Sequence, residues 1–177
     1  MPSSDAELVQ AACAGDIDGF RKLYERYYKM AVGIARSRLN DQHLAEDAAQ
    51  EAFAIACRRL SLLRNTSRFP EWLGTICRRV ATKMGRSRNG HIQTMTADPI
   101  AQTDNDTGPG EEIHQALDRL SDAEREILYL HYFSGLSYDE IAAALGISHQ
   151  AVHGRLQRAR RQLASKLATL DTEGRYR

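Results

Sequence analysis

Three groups of side chains in this chain are spaced for chemistry on a macromolecular partner rather than on a small molecule. Gln50 and Glu51 follow Asp47 by three and four residues, which on a helix gathers all three on one face. A carboxylate, amide and carboxylate on one surface suit the guanidinium and ammonium groups of a basic protein partner. Arg64, Asn65, Thr66, Ser67 and Arg68 form an unbroken polar run, and Arg78, Arg79, Lys83 and Arg86 follow it. The run offers donors to bases and phosphates, and the four cations offer a path for a phosphodiester backbone. Toward the C-terminus, Ser148, His149, Gln150, His153, Gly154, Arg155 and Arg158 fall together in a helical pattern. Their imidazole, amide and guanidinium groups match the base edges and phosphates of a duplex.

Catalytic and cofactor chemistry find no comparable support. The six histidines and three cysteines show no zinc spacing. His149 and His153 lie at i, i+4 but lack a third ligand, so no metal is expected. No Gly-rich phosphate loop or serine elbow is present. The sequence therefore predicts no enzyme, no catalytic residue and no cofactor. Cys13, Cys57 and Cys77 are odd in number and unpaired by any CxxC, and are expected to be reduced, mostly buried thiols. The polar start Met1–Asp5 and the short apolar runs predict a cytoplasmic protein without membrane insertion.

The net charge of +1 over 177 residues hides a strong segregation. Residues 58–88 hold nine basic side chains against one acid, Glu71, and residues 155–166 hold five against none. Between them, residues 111–140 hold eight acids against Arg119 and Arg125. Two separate basic blocks on a near-neutral chain predict two places that touch a polyanion.

The elements that must position these groups read as helices. Asp5, Asp16 and Asp41 are placed to open three of them, and Gly15 to close the first. Phe20, Leu23, Tyr24, Tyr27, Ala31, Ile34 and Ala35 recur at steps of three and four, as do Leu44, Ala48, Ala52, Phe53 and Ile55. A further helix starts near Pro70, where the missing N–H costs nothing, and buries Trp72, Leu73, Ile76 and Val80. Residues 89–110 hold no Lys or Arg but several Asp, Thr and Gln, with Pro99, Gly108, Pro109 and Gly110. This composition predicts a flexible linker on which two units can move independently, and leaves open whether they pack together. In the second unit, Ile113, Ala116, Leu117, Leu120, Ile127, Leu128 and Tyr132 form inward faces. Ser121 with Glu124, and Ser137 with Glu140, fit capping boxes. The fold class is all-α: two small helical domains, 1–88 and 111–177, joined by the linker 89–110.

Residues 137–161 are the most specific segment. A short helix with Ile141, Ala142 and Leu145 inward stops at Gly146, which suits the left-handed residue after a helix. Ser148 caps the next helix, and Val152 and Leu156 pack it back on the first. This is helix-turn-helix spacing, with the second helix placed for a major groove.

With these residues in view, the chain resembles the sigma-70 family of bacterial RNA polymerase sigma factors, in the extracytoplasmic-function group. The likeness rests on Tyr132–Tyr138, Glu140-Ile141-Ala142, Leu145–Ser148, Val152, Arg155-Leu156 and Arg158–Arg160 in the C-terminal half. In the N-terminal half it rests on Leu23-Tyr24, Ala45–Phe53, Phe69, Trp72-Leu73 and Ile76. It implies that Asp47, Gln50 and Glu51 dock on the clamp coiled coil of the largest polymerase subunit. It implies that Arg64–Arg68 with Arg78, Arg79, Lys83 and Arg86 capture the opened strand of a promoter −10 element. Ser148, His149, Gln150, His153, Gly154, Arg155 and Arg158 would read the −35 element as duplex. The implied partners are core RNA polymerase, promoter DNA and an anti-sigma factor. Arg79 and Lys83 add positive charge where the family often carries a small polar residue and an acid, so a −10 sequence does not transfer. Gly154 replaces a small hydroxyl residue and leaves room for a phosphate. Two alternatives stay open from sequence: a helix-turn-helix regulator acting without polymerase, and a sigma-like decoy for an anti-sigma factor.

Overall fold

The computed structural model describes residues 3–94 and 109–174, and every regular element among them is helical. The helices are α1 (Asp5–Cys13), α2 (Ile17–Arg36), α3 (Gln42–Arg59), α4 (Phe69–Thr94), α5 (Pro109–Asp118), α6 (Asp122–Leu128), α7 (Tyr138–Leu145) and α8 (His149–Gly174). A π-helical turn, Tyr129–Phe133, extends α6. Short 3-10 turns, Leu60–Leu62 and Thr66–Arg68, carry the chain from α3 to α4.

Local chemistry accounts for most of these boundaries. Asp16 and Asp41 cap α2 and α3 as expected, accepting from the backbone N–H of Asp18 and Leu44. The two expected capping boxes form at Ser121 and Ser137. A third, Ser4 with Glu7, opens α1. Asp5 was the expected cap there; its carboxylate instead accepts from the Tyr27 hydroxyl and from Arg26, 2.5 Å away, tying α1 to α2. The expected linker also shortens. The α4 helix runs on to Thr94, because residues 89–94 hold no proline and a single glycine, while Pro109 opens α5. Residues 95–108 of that expected linker lie outside the described residues.

In the N-terminal half α2, α3 and α4 pack around Leu23, Ile34, Ala52, Phe53, Phe69 and Leu73, all nearly or fully buried. Alanines 45, 48, 49, 52 and 56 face this core on α3, so the helices approach closely. In the C-terminal half Ile127, Leu130, Ile141, Val152, Leu156 and Ala159 are buried between α6, α7 and α8. Each fully buried Leu or Ile contributes about 1.5–3 kcal/mol relative to exposure.

Two inward expectations fail. Ile113 is 46% exposed and Tyr132 is 61% exposed. The π-helical turn accounts for Tyr132: its extra residue per turn rotates Tyr132 and Phe133 out of the phase set by Ile127 and Leu128. The thiols also differ from expectation, since only Cys77 is buried and Cys13 and Cys57 are exposed. Cys13 closes α1 beyond its buried residues, and Cys57 lies on the outward side of α3 between the buried Ala56 and Leu60.

The two halves are packed on each other. Gly33 of α2 meets the π-helical turn so closely that an added Cβ would lie 2.1 Å from the Ser134 hydroxyl. Gly74 of α4 lies against the Ala144 carbonyl of α7, and Glu71 against Gly146. Arg36 stacks its guanidinium 5.1 Å from the centre of the Phe133 ring.

Candidate nucleic-acid interface

The helix-turn-helix is built as the sequence predicts. Ser137 caps α7 by accepting from the Glu140 N–H, while Glu140 accepts from the Ser137 N–H at 2.8 Å. Gly146 then adopts φ 65°, ψ 36°, the left-handed conformation that turns the chain. The Ser148 hydroxyl accepts from the Ala151 N–H at 3.2 Å and opens α8. Val152, Leu156 and Ala159 are fully buried against α7 and α6, so the other side of α8 must face outward. Ser148, His149, Gln150, His153, Gly154, Arg155 and Arg158 are all exposed there. The Tyr138 ring sits 5.3 Å from His149 and 6.1 Å from His153, which orients both imidazoles on the helix surface.

In the N-terminal half, Asp47, Gln50 and Glu51 are exposed on α3, opposite its buried alanine face. Glu51 is bridged only loosely, 3.4 Å from Arg58. Asp41, at the start of the same helix, has its carboxyl held below the usual carboxylate range, first by the Leu44 N–H and then by Arg88.

The polar run between α3 and α4 presents Arg64, Asn65, Ser67 and Arg68 to solvent, with Thr66 half-buried. Asn65 shapes the run by accepting from the Ser67 N–H at 3.2 Å. Trp72 is half-buried with its ring 6.0 Å from Phe69, consistent with packing rather than with a free stacking platform. Arg79, Lys83 and Arg86 are exposed along α4 and line a cleft with Arg38 and Arg78.

Arg78 differs from its neighbours. It donates to both oxygens of Glu126, at 2.6 Å from Nη2 and 2.9 Å from Nε to Oε1, and from Nε at 3.2 Å to Oε2. Arg38 donates to the same carboxylate at 2.8 Å. The sequence reading singled out neither Arg38 nor Glu126. The available signal was the phase of Glu126, an acid beside Ile127 and Leu128 on a face otherwise apolar. Among the described residues no group of His, Cys, Asp and Glu could hold a metal ion. None of the described helices is long and apolar enough to cross a membrane.

The fold defines a two-part, all-helical protein that carries a helix-turn-helix. Residues 23–90 match Sigma-70 region 2, and residues 110–163 match Sigma-70, region 4. The RNA polymerase sigma factor NccH of Alcaligenes xylosoxydans xylosoxydans is 32% identical over 178 residues, covering 94% of this chain and 96% of that protein. The ECF RNA polymerase sigma factor BldN of Streptomyces coelicolor is 28% identical over 171 residues, 91% of this chain but 65% of that longer protein. Among solved structures, the sigma factor RpoE of Bartonella quintana in complex with the anti-sigma factor NepR matches with a TM-score of 0.56. That match has 25% identity and covers 86% of this chain and 98% of the other. The chain belongs to the sigma-70 family of RNA polymerase sigma factors, in its extracytoplasmic-function group. It is a transcription-initiation factor and not an enzyme.

Proposed function

We propose that the chain is a dissociable promoter-specificity subunit. It binds core RNA polymerase through Asp47, Gln50 and Glu51, captures the −10 strand with Arg64–Arg68, Arg78, Arg79, Lys83 and Arg86, and reads the −35 duplex with Ser148, His149, Gln150, His153, Gly154, Arg155 and Arg158. Residues 1–88 and 111–177 are the two working units, and residues 89–110 connect them. The carrying observation is that the acid–amide trio of α3 and the recognition face of α8 are both exposed in one chain. A regulator acting alone needs the second of these surfaces but not the first. An anti-sigma partner is part of this reading, because the similar Bartonella quintana factor is solved bound to one.

The test is multi-round transcription on genomic DNA fragments with purified core polymerase and this protein, followed by sequencing of 5′ ends. The expected result is a set of discrete start sites sharing two spaced upstream motifs. The Asp47→Ala/Glu51→Ala double variant should lose them while melting at an unchanged temperature. No start sites above those of core alone would overturn the proposal and favour a duplex-binding regulator or a decoy.

A further inference from the structure

The π-helical turn Tyr129–Phe133 does more than rotate Tyr132 outward. It carries His131, whose Nδ1–H donates to the Leu136 carbonyl across 3.2 Å, since a carbonyl can only accept. The same ring lies 4.8 Å from Tyr132 and 5.4 Å from Tyr138, at interplanar angles of 71° and 68°. Rings set edge to face at such distances attract. Tyr138, half-buried at the start of α7, carries the contact onward to His149 at 5.3 Å and His153 at 6.1 Å. A path of ring contacts thus runs from the π-helical turn, through α7, to the two imidazoles on the exposed face of α8. Turns of this kind are frequent at functional sites.

His149 and His153 stand one helical turn apart, and Arg155 and Arg158 follow them on α8, all exposed. Tyr138 faces the pair from α7, with His131 of the π-helical turn behind it. Of the two acids in the first turn of α7, Glu140 accepts from the Ser137 N–H at 2.8 Å and from its hydroxyl at 2.7 Å, and Asp139 is exposed. An imidazole donates from both nitrogens only when protonated, and histidine is the side chain whose charge changes between pH 5 and 8. Phosphate oxygens and the major-groove edge of guanine present acceptors. A duplex against this face therefore favours the charged form of both rings.

We propose that Tyr138, backed by His131, is a positioning residue for duplex reading, and that the His149 and His153 it holds meet the duplex as imidazolium donors. Duplex binding by this half then takes up protons. The inference rests on the duplex reading of α8 above and adds to it Tyr138 and His131, neither of which lies on the recognition helix.

The test uses the full chain without polymerase and a fluorescein-labelled duplex of randomised sequence. Binding is read by anisotropy at about pH 6 and pH 8 over a salt series, with thermal melting of each variant under both conditions. The native chain should bind about tenfold or more tighter at the lower pH. Its salt slope should be steeper there by up to about 1.8, from ~0.9 for each added cation. His149→Gln/His153→Gln should flatten both differences, and His153→Lys should keep binding tight at the higher pH. Tyr138→Leu should weaken binding several-fold at the lower pH, and Tyr138→Phe, which keeps the ring, should restore it. In the His149→Gln/His153→Gln background, Tyr138→Leu should change affinity by less than about twofold. An affinity that does not vary with pH, or a pH dependence that survives in the double variant, would overturn the proposal. So would a Tyr138→Leu loss of equal size with and without the histidines, which would leave Tyr138 a packing residue, or a Tyr138→Phe variant as weak as Tyr138→Leu. Absence of duplex binding at both pH values would overturn it as well. Because polymerase is absent, these outcomes are separate from the transcription result that tests the parent reading.

Discussion

Replacing Gly146 by alanine should expose two separable penalties, one local and one between the halves. The local one is conformational: Gly146 sits at φ 65°, ψ 36°, and a side chain in the left-handed region costs about 1–2 kcal/mol. The other is steric. An added Cβ would stand 2.6 Å from the Glu71 Cδ and 2.7 Å and 2.9 Å from its oxygens. Ordinary carbon–carbon contact is ~3.5–4.0 Å, so the overlap is about 1 Å and Glu71 must move. Moving it breaks the ion pair with Arg68, whose Nε lies 2.7 Å from Oε2. That pair is partly exposed, at 59% and 33%, so its loss costs no more than about 1 kcal/mol. Gly146→Ala should therefore cost about 2 kcal/mol in the native background and about 1.5 kcal/mol in Glu71→Ala. The assay is urea unfolding of the full chain by circular dichroism over the four corners of this double-mutant cycle. A coupling below the ~0.3 kcal/mol that separates independent sites would show that Glu71 does not touch the turn in solution, and would refute the packing of α4 on α7. A cost below ~0.5 kcal/mol in both backgrounds would refute the conformational argument.

Gly154 has open space around its missing Cβ, with nothing within 4 Å, so Gly154→Ala should stabilise α8 by roughly 0.5–1 kcal/mol. If its bareness admits a phosphate, Gly154→Ser should weaken duplex binding; tighter binding with an unchanged footprint would refute that role. Native protein should react with Ellman's reagent at Cys13 and Cys57, which are exposed, and not at Cys77. Burial pushes the Cys77 thiol up to about 12, so its reaction should wait for denaturant, and three rapid thiols in native protein would contradict the packing. Asp41 has a carboxyl held low in the folded state by the Leu44 N–H and then by Arg88. Its stabilising contribution is complete above the unfolded value of about 3.9 and is lost as pH falls through the lower folded one. In urea unfolding, the advantage over Asp41→Asn should be constant near neutrality and shrink only below about pH 4; a difference already shrinking at pH 6 would refute the assignment.

What could be read from the sequence was whatever depends on neighbours along the chain. Caps at Asp16, Asp41, Ser121 and Ser137 and the stop at Gly146 are local hydrogen-bonding and conformational events, and each forms as expected. The helix-turn-helix was legible for the same reason, since its turn chemistry and both apolar faces lie within one short segment. The exposure of Asp47, Gln50 and Glu51 followed from the alanine face behind them. Three things were not legible. The π-helical turn at Tyr129–Phe133 shifts the helical phase by one residue, so a reading at constant period places Tyr132 inward when it is exposed. Cys13 sits at the end of α1 and Cys57 on the outward side of α3 beside the buried Ala56, so an apolar residue type alone placed neither thiol. The clasp on Glu126 joins residues 88 and 48 positions apart, and no local pattern records such a pairing.

The charge segregation has a structural meaning that counting alone does not supply. Acids concentrate early in the C-terminal half and cations late, so α6 and α8 carry opposite signs within one small unit. In the packed protein the acidic side faces the first half: Glu126 meets Arg38 and Arg78, and Asp118 accepts from Asn40 at 3.1 Å. The cationic residues of α8 face solvent on the other side. The same polarity would orient this half toward a polyanion, because acids repel one where the cations of α8 attract it. Salt acts unevenly on these contacts. The exposed cations of α4 and α8 are screened within a Debye length of about 8 Å, whereas the buried Glu126 clasp is screened far less. Rising ionic strength therefore weakens the pull of both exposed cationic surfaces on a polyanion while leaving the internal pairing nearly intact.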